Sequence, residues 1–435
     1  MAIPVPAPRA PFEELTPALT PDQALAETSR CLYCYDAPCI RACPTSIDIP
    51  SFIQKIASGN LVGSARVILE ANVLGGSCAR VCPVEVLCEG ACVEKALAKR
   101  PVPIGRLQRY ATDHVLARGI DVLRAGAPSG HSVGVIGAGP AGLSAAAELR
   151  KRGHAVTIYD ERPWGGGLNT YAMAEYKQTA ALALAEVDLV RRLGAEFRHG
   201  TSVGGGAGHS AAGAVSVAQL LSAHALLFVG VGLGATNRLG VPGDRLPHVH
   251  AALDWIEQLK IAPEAMPRLD GQRALVVGGG NTAIDAVTQA RRLGAAATLI
   301  YRRAEAQMSA YRYEIELARG MGCTLLFERP VVRVEERGLV VRGPGPGEEL
   351  IPGELILAAV GQQKRVAFLR DLPEVRLDER GRLAVDAAFR THNPRIYAGG
   401  DCVNGGKEAV NAVADGKAAA RAMDAALSAS TGVRS

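Results

Sequence analysis

Several things are missing from this 435-residue sequence, and each absence excludes something. No apolar run is long enough to span a bilayer. The opening stretch, MAIPVPAPRAPFEEL, has no apolar signal core, so a cytosolic chain is expected. There is no strongly basic block: 48 Lys+Arg stand against 43 Asp+Glu, which argues against nucleic acid or an anionic membrane surface as a partner. Cysteines are scarce beyond residue 92, where only Cys323 and Cys402 occur, far apart. The close cysteine pair of a flavin disulfide reductase is therefore missing. Hydrophobic residues make up 48% and charged residues 21%, enough for a sizeable core. The length suits roughly two to four domains.

Eight of the ten cysteines crowd into the N-terminal quarter and mark a separate module. Residues 1–19 are Pro-rich and read as an arm lying on a partner or on the module. Thr20, Pro21 and Gln23 spell a capped helix start, and a helix over 21–30 leads to the first cysteines. These run Cys31-x2-Cys34-x4-Cys39-x3-Cys43-Pro44, followed by helical periodicity over 45–72. The second set runs Cys78-x3-Cys82-Pro83-x4-Cys88-x3-Cys92. Each set has a cysteine followed by proline, as bacterial ferredoxin motifs end. In a cytosolic chain such density points to metal or redox chemistry rather than disulfides. Soft thiolates suit iron–sulfur clusters or zinc. Eight cysteines exceed what one tetrahedral ion needs, and no histidine lies among them. Two cubane clusters fit better than zinc or unligated core cysteines. A helix over 104–117 closes the module, and 119–130 is a loose linker.

The stretch 131–160 carries a dinucleotide fingerprint in its full context. Residues 133–136 read as a buried strand, Gly137-x-Gly139-x-x-Gly142 opens an Ala/Leu-rich helix, and a second strand ends on Asp160. The glycines admit a pyrophosphate to the helix N-terminus, and Asp160 can accept both hydroxyls of a ribose. Gly165-Gly166-Gly167-Leu168 follows, where backbone amides can meet a second face of the ligand. Lys177 is either a phosphate contact or a surface lysine. A helix is expected over 182–193, a surface loop over 204–213, and a buried strand over 225–231.

A second nucleotide unit begins at Arg273. Its strand is 274–277, its turn Gly278-Gly279-Gly280-Asn281-Thr282-Ala283, its helix 283–293, and its next strand 298–301 ends on Arg302-Arg303 instead of an acid. Two guanidiniums there can grip a 2′-phosphate and favour NADPH, stack on adenine, or pair with Glu305. The chain is then read as returning to the first unit. A strand over 354–360 ends in Gly361. Another over 395–401 meets Gly400-Asp401 ahead of a helix from about 407 to 423.

Together these residues resemble the flavin-containing small subunit of bacterial NAD-dependent dihydropyrimidine dehydrogenase. The single-chain mammalian enzyme's N-terminal half and, more distantly, the glutamate synthase small subunit are similar. The most specific segments are CLYCYDAPCIRACPTSIDIPSFI, CPVEVLCEGAC and IGRLQ, and the match covers the chain after about residue 20. The resemblance implies FAD, an NAD(P)H site and two [4Fe–4S] clusters. It implies interleaved ligation: Cys31, Cys34, Cys39 and Cys92 for one cluster, Cys43, Cys82, Cys88 and Gln108 for the other. Spacing alone would have chosen Cys78 over Gln108. For FAD it implies Gly137, Gly139, Pro140, Ala141, Asp160, Gly167, Leu168, Lys177 and Asp401, with Gly400 beside it. For NAD(P)H, with NADH favoured, it implies Gly280, Asn281, Thr282, Arg302, Arg303 and Gly361. Lysine at 177 departs from the mammalian pattern, which has arginine.

The expected architecture is multidomain. An α-helical iron–sulfur domain (1–130) precedes two α/β Rossmann-like domains, the NAD(P) domain (241–353) being inserted in an FAD domain (131–240 and 354–435). No catalytic side chain is expected, because the chemistry belongs to the cofactors. The expected role is electron input to an FMN-containing partner that reduces uracil and thymine. Supply of another acceptor, as in glutamate synthase, or a zinc-stapled flavoprotein scaffold are the alternatives.

Overall fold

The computed structural model describes residues 12–204, 214–343, 345 and 347–431. Most of the surface loop expected over 204–213 lies outside the described residues. The chain divides into two compact units. The first holds Thr16–Thr170, Ala181–Leu233 and Lys364–Ser435; the second holds Tyr171–Ala180 and Gly234–Gln363 with the stretch ending at Leu15.

The first unit joins a helical module to a parallel sheet. The helix Pro21–Thr28 starts on a complete capping box between Thr20 and Gln23. Asp48 and Asn60 cap the helices Ile49–Ala57 and Leu61–Ala71, which pack as a hairpin. That hairpin brings the second cysteine stretch, beginning on the helix Gly75–Val81, back beside the first. The helix Ile104–Leu116 packs across it and buries Ile104, Leu107, Ala111 and Val115. Residues 1–11 of the expected arm lie outside the described residues; at its end, Arg106 and Arg109 donate to the carbonyls of Pro17 and Thr16 at 3.1 and 2.6 Å.

The sheet of this unit has the order Ile396–Ala398, Leu226–Val229, Ser132–Ile136, Ala155–Asp160, Glu196–His199, all parallel. Its central strand feeds the helix Pro140–Lys151, against which the long helix Ala409–Thr431 packs. Lys417 on that long helix donates to the carbonyls of Thr45 and Ala71 at 3.1 and 2.8 Å, so module and sheet share one interior.

The second unit repeats the plan. Its parallel sheet runs Thr324–Leu326, Ala296–Ile300, Arg273–Val277, Leu355–Ala358, Val249–Ala251. The strand Leu355–Ala358 thus belongs here, paired with Arg273–Val277, and the chain returns after Gln363 rather than at 354. The reason is the usual crossover to the far side of the central strand, which an apolar run alone does not announce. An antiparallel three-stranded sheet, Val331–Glu335, Gly338–Arg342 and Glu348–Pro352, was not expected. Among the described residues no helix is long and apolar enough to cross a membrane.

Candidate functional site

All ten cysteines are free thiols. In the module they form two groups that cut across the order of the sequence. Cys31 faces Cys34 and Cys92, and Cys39 faces Cys92 and Cys31. Cys82 hydrogen-bonds Cys78 and faces Cys88 and Cys43. Cys88 sits between the groups, facing Cys43 and more weakly Cys39. Burial pushes the Cys39 thiol up to about 11 and raises Cys31 and Cys88. Cys82 is held well above the usual thiol range by its hydrogen bond to Cys78 and by burial. A coordinated cation overcomes that resistance, because it deprotonates a thiol outright. Among the described residues no three His, Cys, Asp or Glu converge as one metal ion requires. A cubane takes each thiolate at a different iron, and the thiolate-rich donor set fits 4Fe-4S chemistry.

The two candidates for the last ligand position are both buried. Cys78 is engaged with Cys82. Gln108 donates from Nε2 to the Gly75 carbonyl at 2.7 Å, which ties it to the helix that carries Cys78.

Three segments meet at the carboxyl end of the first sheet, at its switch point between Ser132–Ile136 and Leu226–Val229. The first is the turn Gly137–Ala141. A Cβ at Gly137 would stand 2.5 Å from the Gly230 carbonyl, and one at Gly142 only 1.9 Å from the Gly137 carbonyl. Gly139, by contrast, has nothing nearer than Gly167 at 3.9 Å, which leaves space for a ligand. The second is the loop Gly165–Leu168, whose Gly166 amide donates to the Ala138 carbonyl at 2.7 Å. The third is Gly400–Asp401, where a Cβ on Gly400 would meet Ala141 at 2.9 Å. Asp160 accepts from the amides of Ala138 and Arg162 at 2.6 and 2.8 Å, and burial raises it above the usual carboxylate range. Asp401, raised by burial too, accepts from the Lys407 amide at 3.3 Å. No side chain caps the helix Pro140–Lys151, so its first amides are open to an anion. Asn169 was missed by sequence reasoning. On the helical turn Leu168–Tyr171 just after the Gly-rich loop, its Oδ1 is buried without a partner among the described residues, an acceptor suited to a ligand hydroxyl or N–H. These residues fit a flavin dinucleotide.

The second unit builds its turn the same way. A Cβ on Gly278 would meet the Ala359 carbonyl at 2.4 Å, whereas one on Gly280 has only the Ser309 hydroxyl at 3.4 Å. No side chain caps the helix Asn281–Arg292; Asn281 accepts instead from the Tyr311 amide at 3.1 Å, and Thr282 is half-buried beside it. Gly361 follows the neighbouring strand Leu355–Ala358 at φ +89°, its carbonyl taking the Asn237 amide at 2.8 Å. Arg302 and Arg303 are exposed. Arg303 lies 5.7 Å over the Tyr301 ring, and Glu305 is taken by Arg319 at 2.5 Å. Arg302 has no acidic partner among the described residues. A cavity of about 370 Å³ between Gly271, Arg291 and Thr324 lies at the opposite, amino ends of these strands, away from this crevice.

Lys177 belongs to the second unit, and its amine is held by two carboxylates, Asp285 and Glu314, each at 2.6 Å. Tyr176 donates to Asp285 at 3.2 Å. Burial works against the Lys177 charge, but the two acids outweigh it and raise its pKa. An ammonium taken out of water needs such partners, and these leave it little reach for a phosphate. Lys177→Met is expected to cost about 3–5 kcal/mol in denaturant unfolding, since it strands two buried carboxylates. An unchanged midpoint would mean that the acids share a proton without it.

Residues 8–120 match the family described as dihydropyrimidine dehydrogenase domain II, 4Fe-4S cluster, and residues 131–416 match pyridine nucleotide-disulphide oxidoreductase. The chain is 33% identical over 416 residues to the NAD-dependent dihydropyrimidine dehydrogenase subunit PreT of Escherichia coli (strain K12), covering 95% of this chain and 96% of that one. It is also 33% identical over 442 residues to the NADPH glutamate synthase small chain of Halomonas elongata, covering 94% and 92%. Among solved structures, a thioredoxin reductase of T. acidophilum superposes with a TM-score of 0.55 at 22% identity, over 68% of this chain and 99% of that one. That likeness shows a shared fold.

Proposed function

The chain belongs to the pyridine nucleotide-disulphide oxidoreductase family, joined to a dihydropyrimidine dehydrogenase iron–sulfur domain, and is a flavin-type oxidoreductase; from that premise we propose that it is the electron-input subunit of a dihydropyrimidine dehydrogenase. In this reading it oxidises NADH and delivers the electrons through two [4Fe–4S] clusters to an FMN-containing partner subunit. The partner reduces the 5,6 double bond of uracil or thymine. The observation that supports the reading is that the module's thiols gather into two groups, Cys31, Cys34, Cys39 and Cys92 in one and Cys43, Cys82 and Cys88 with Cys78 in the other.

FAD, when bound, exchanges a hydride with a nicotinamide and single electrons with iron–sulfur clusters. The first unit's sheet would hold it. Asp160 takes the ribose, Gly137, Gly139, Pro140 and Ala141 admit the pyrophosphate, and Gly167, Leu168, Asn169, Gly400 and Asp401 line the rest. The second unit would hold NAD(P)H through Gly280, Asn281, Thr282 and Gly361, with Arg302 and Arg303 near the adenosine. Cys31, Cys34, Cys39 and Cys92 would hold one cluster, and Cys43, Cys82, Cys88 and Gln108 the other. Cys323 and Cys402 are each buried free thiols, Cys323 donating to the Val287 carbonyl and Cys402 to those of Val229 and Gly399.

The coenzyme preference rests on kinship with the NAD-dependent relatives, while unpaired Arg302 leaves NADPH some purchase. Arg302→Ala is expected to weaken NADPH binding about tenfold, the worth of a lost charge-assisted hydrogen bond of about 1.5 kcal/mol, and to leave NADH within about twofold. Equal losses for both would place the guanidinium on the adenine.

The proposal is tested with the purified full chain under anaerobic conditions. NADH should reduce an artificial dye, and dihydrouracil should form only when the FMN-containing subunit is added. Dihydrouracil made by the chain alone would overturn the division of labour. The equal identity to a glutamate synthase small chain supports a second reading, supply of a glutamate-forming partner, and co-purification from the native host separates the two.

A further inference from the structure

The helix Gly75–Val81 carries Cys78 and ends on Cys82 as its C-cap, yet Leu74 at its N-cap supplies no side-chain hydrogen bond. The missing cap comes from elsewhere in the chain. Glu186, on the helix Ala180–Arg192 beside the first sheet, is fully buried. Its Oε1 accepts from the Ser77 amide at 2.9 Å, and its Oε2 accepts from the Ser77 hydroxyl. The Gly76 amide faces it as well. Gly76 makes the approach possible: a Cβ there would stand 3.1 Å from Glu186 Oε1. Burying a carboxylate is costly, so its bonds to orphan helix amides are what make its place tolerable.

The neighbouring helix repeats the device. Pro103 cannot cap Ile104–Leu116, and Glu89 Oε1 accepts from the Gly105 amide at 3.0 Å instead. The two helices are tied together where Gln108 donates to the Gly75 carbonyl, one residue before Glu186's first contact. A seven-residue helix is a rod of about 10 Å. Fixing its first turn therefore fixes Cys82 at its far end and Gln108 at its near one.

We propose that Glu186 is a positioning residue for the iron–sulfur cluster of Cys43, Cys82, Cys88 and Gln108, acting through the helix it caps. The inference rests on the two-cluster reading above. It assigns to a side chain from the flavin-sheet part of the chain a role in the geometry of one cluster and not the other.

The test uses the anaerobically prepared full chain and compares wild type with Glu186→Ala, Glu186→Asp and Glu186→Gln. Iron, bound flavin and the electron paramagnetic resonance of the reduced clusters are measured. In Glu186→Ala and Glu186→Asp one signal should change its line shape and midpoint potential, the same signal that Cys43→Ser abolishes. The other signal and the flavin content should stay as in wild type. Glu186→Gln keeps an acceptor for the Ser77 amide and should restore the line shape. Should Glu186→Ala fail to fold, Glu186→Asp, whose carboxylate falls one methylene short, decides. Wild-type signals from both clusters in the Ala and Asp variants overturn the proposal, as does an equal change in both signals with loss of flavin. A wild-type chain lacking two cluster signals overturns the two-cluster reading itself, and this inference with it.

Discussion

Gly139→Ala is expected to fold as wild type does and to retain no flavin. The two other glycines of the fingerprint give the contrast. A methyl group at Gly142 would stand 1.9 Å from the Gly137 carbonyl, and at Gly137 it would stand 2.5 Å from the Gly230 carbonyl. Both meet backbone, which cannot swing aside, so Gly142→Ala should destabilise the unit by about 1–3 kcal/mol or more. At Gly139 the nearest atom is 3.9 Å away, and φ is −77°, an ordinary value for alanine. The protein tolerates the methyl group; a pyrophosphate resting on that backbone does not. Visible flavin absorbance after gel filtration, set beside the melting temperature of the flavin-free chains, reads both effects. A Gly139→Ala protein that keeps its flavin would place the dinucleotide elsewhere.

Cys39→Ser and Cys43→Ser should remove different clusters, although the two cysteines lie on one helical turn of sequence. Cys39→Ser should instead match Cys92→Ser, and Cys43→Ser should match Cys82→Ser. Each should lose half of the iron and one of the two reduced-cluster signals, with the signals lost by the two pairs complementary. The prediction follows from the fold. The hairpin of Ile49–Ala57 and Leu61–Ala71 lays the second cysteine stretch beside the first, so thiols pair by space and not by order. If the ligands were sequential, Cys39→Ser and Cys43→Ser would erase the same signal.

Much of this was legible in the sequence because the signals were local. The capping box at Thr20 and Gln23, the strand–turn–helix ending on Asp160 and its counterpart at Gly278–Ala283 depend on neighbours within a few residues, and the structure builds each. What was not legible depends on distant partners. The strand Leu355–Ala358 is as apolar as any, and only its pairing with Arg273–Val277 shows which sheet owns it. Lys177 reads as a free cation until Asp285 and Glu314, more than a hundred residues on, are folded against it. Asn169 carried no motif, and its orphaned Oδ1 exists only once the loop is packed. Glu186 carried no motif either, and its bonds to Ser77, more than a hundred residues earlier, exist only in the folded chain. Grouping of the cysteines fell between the two cases: spacing marked them as ligands, resemblance supplied the interleaving, and the folded chain sets Cys31, Cys34, Cys39 and Cys92 near one another and Cys43, Cys82 and Cys88 near Cys78.

The most direct test is the stoichiometry of iron, acid-labile sulfide and flavin in the anaerobically purified chain. About eight iron and eight sulfide per flavin are expected, as two cubanes demand, with no stoichiometric zinc. A yellow protein holding zinc and no iron would contradict the assignment at its root.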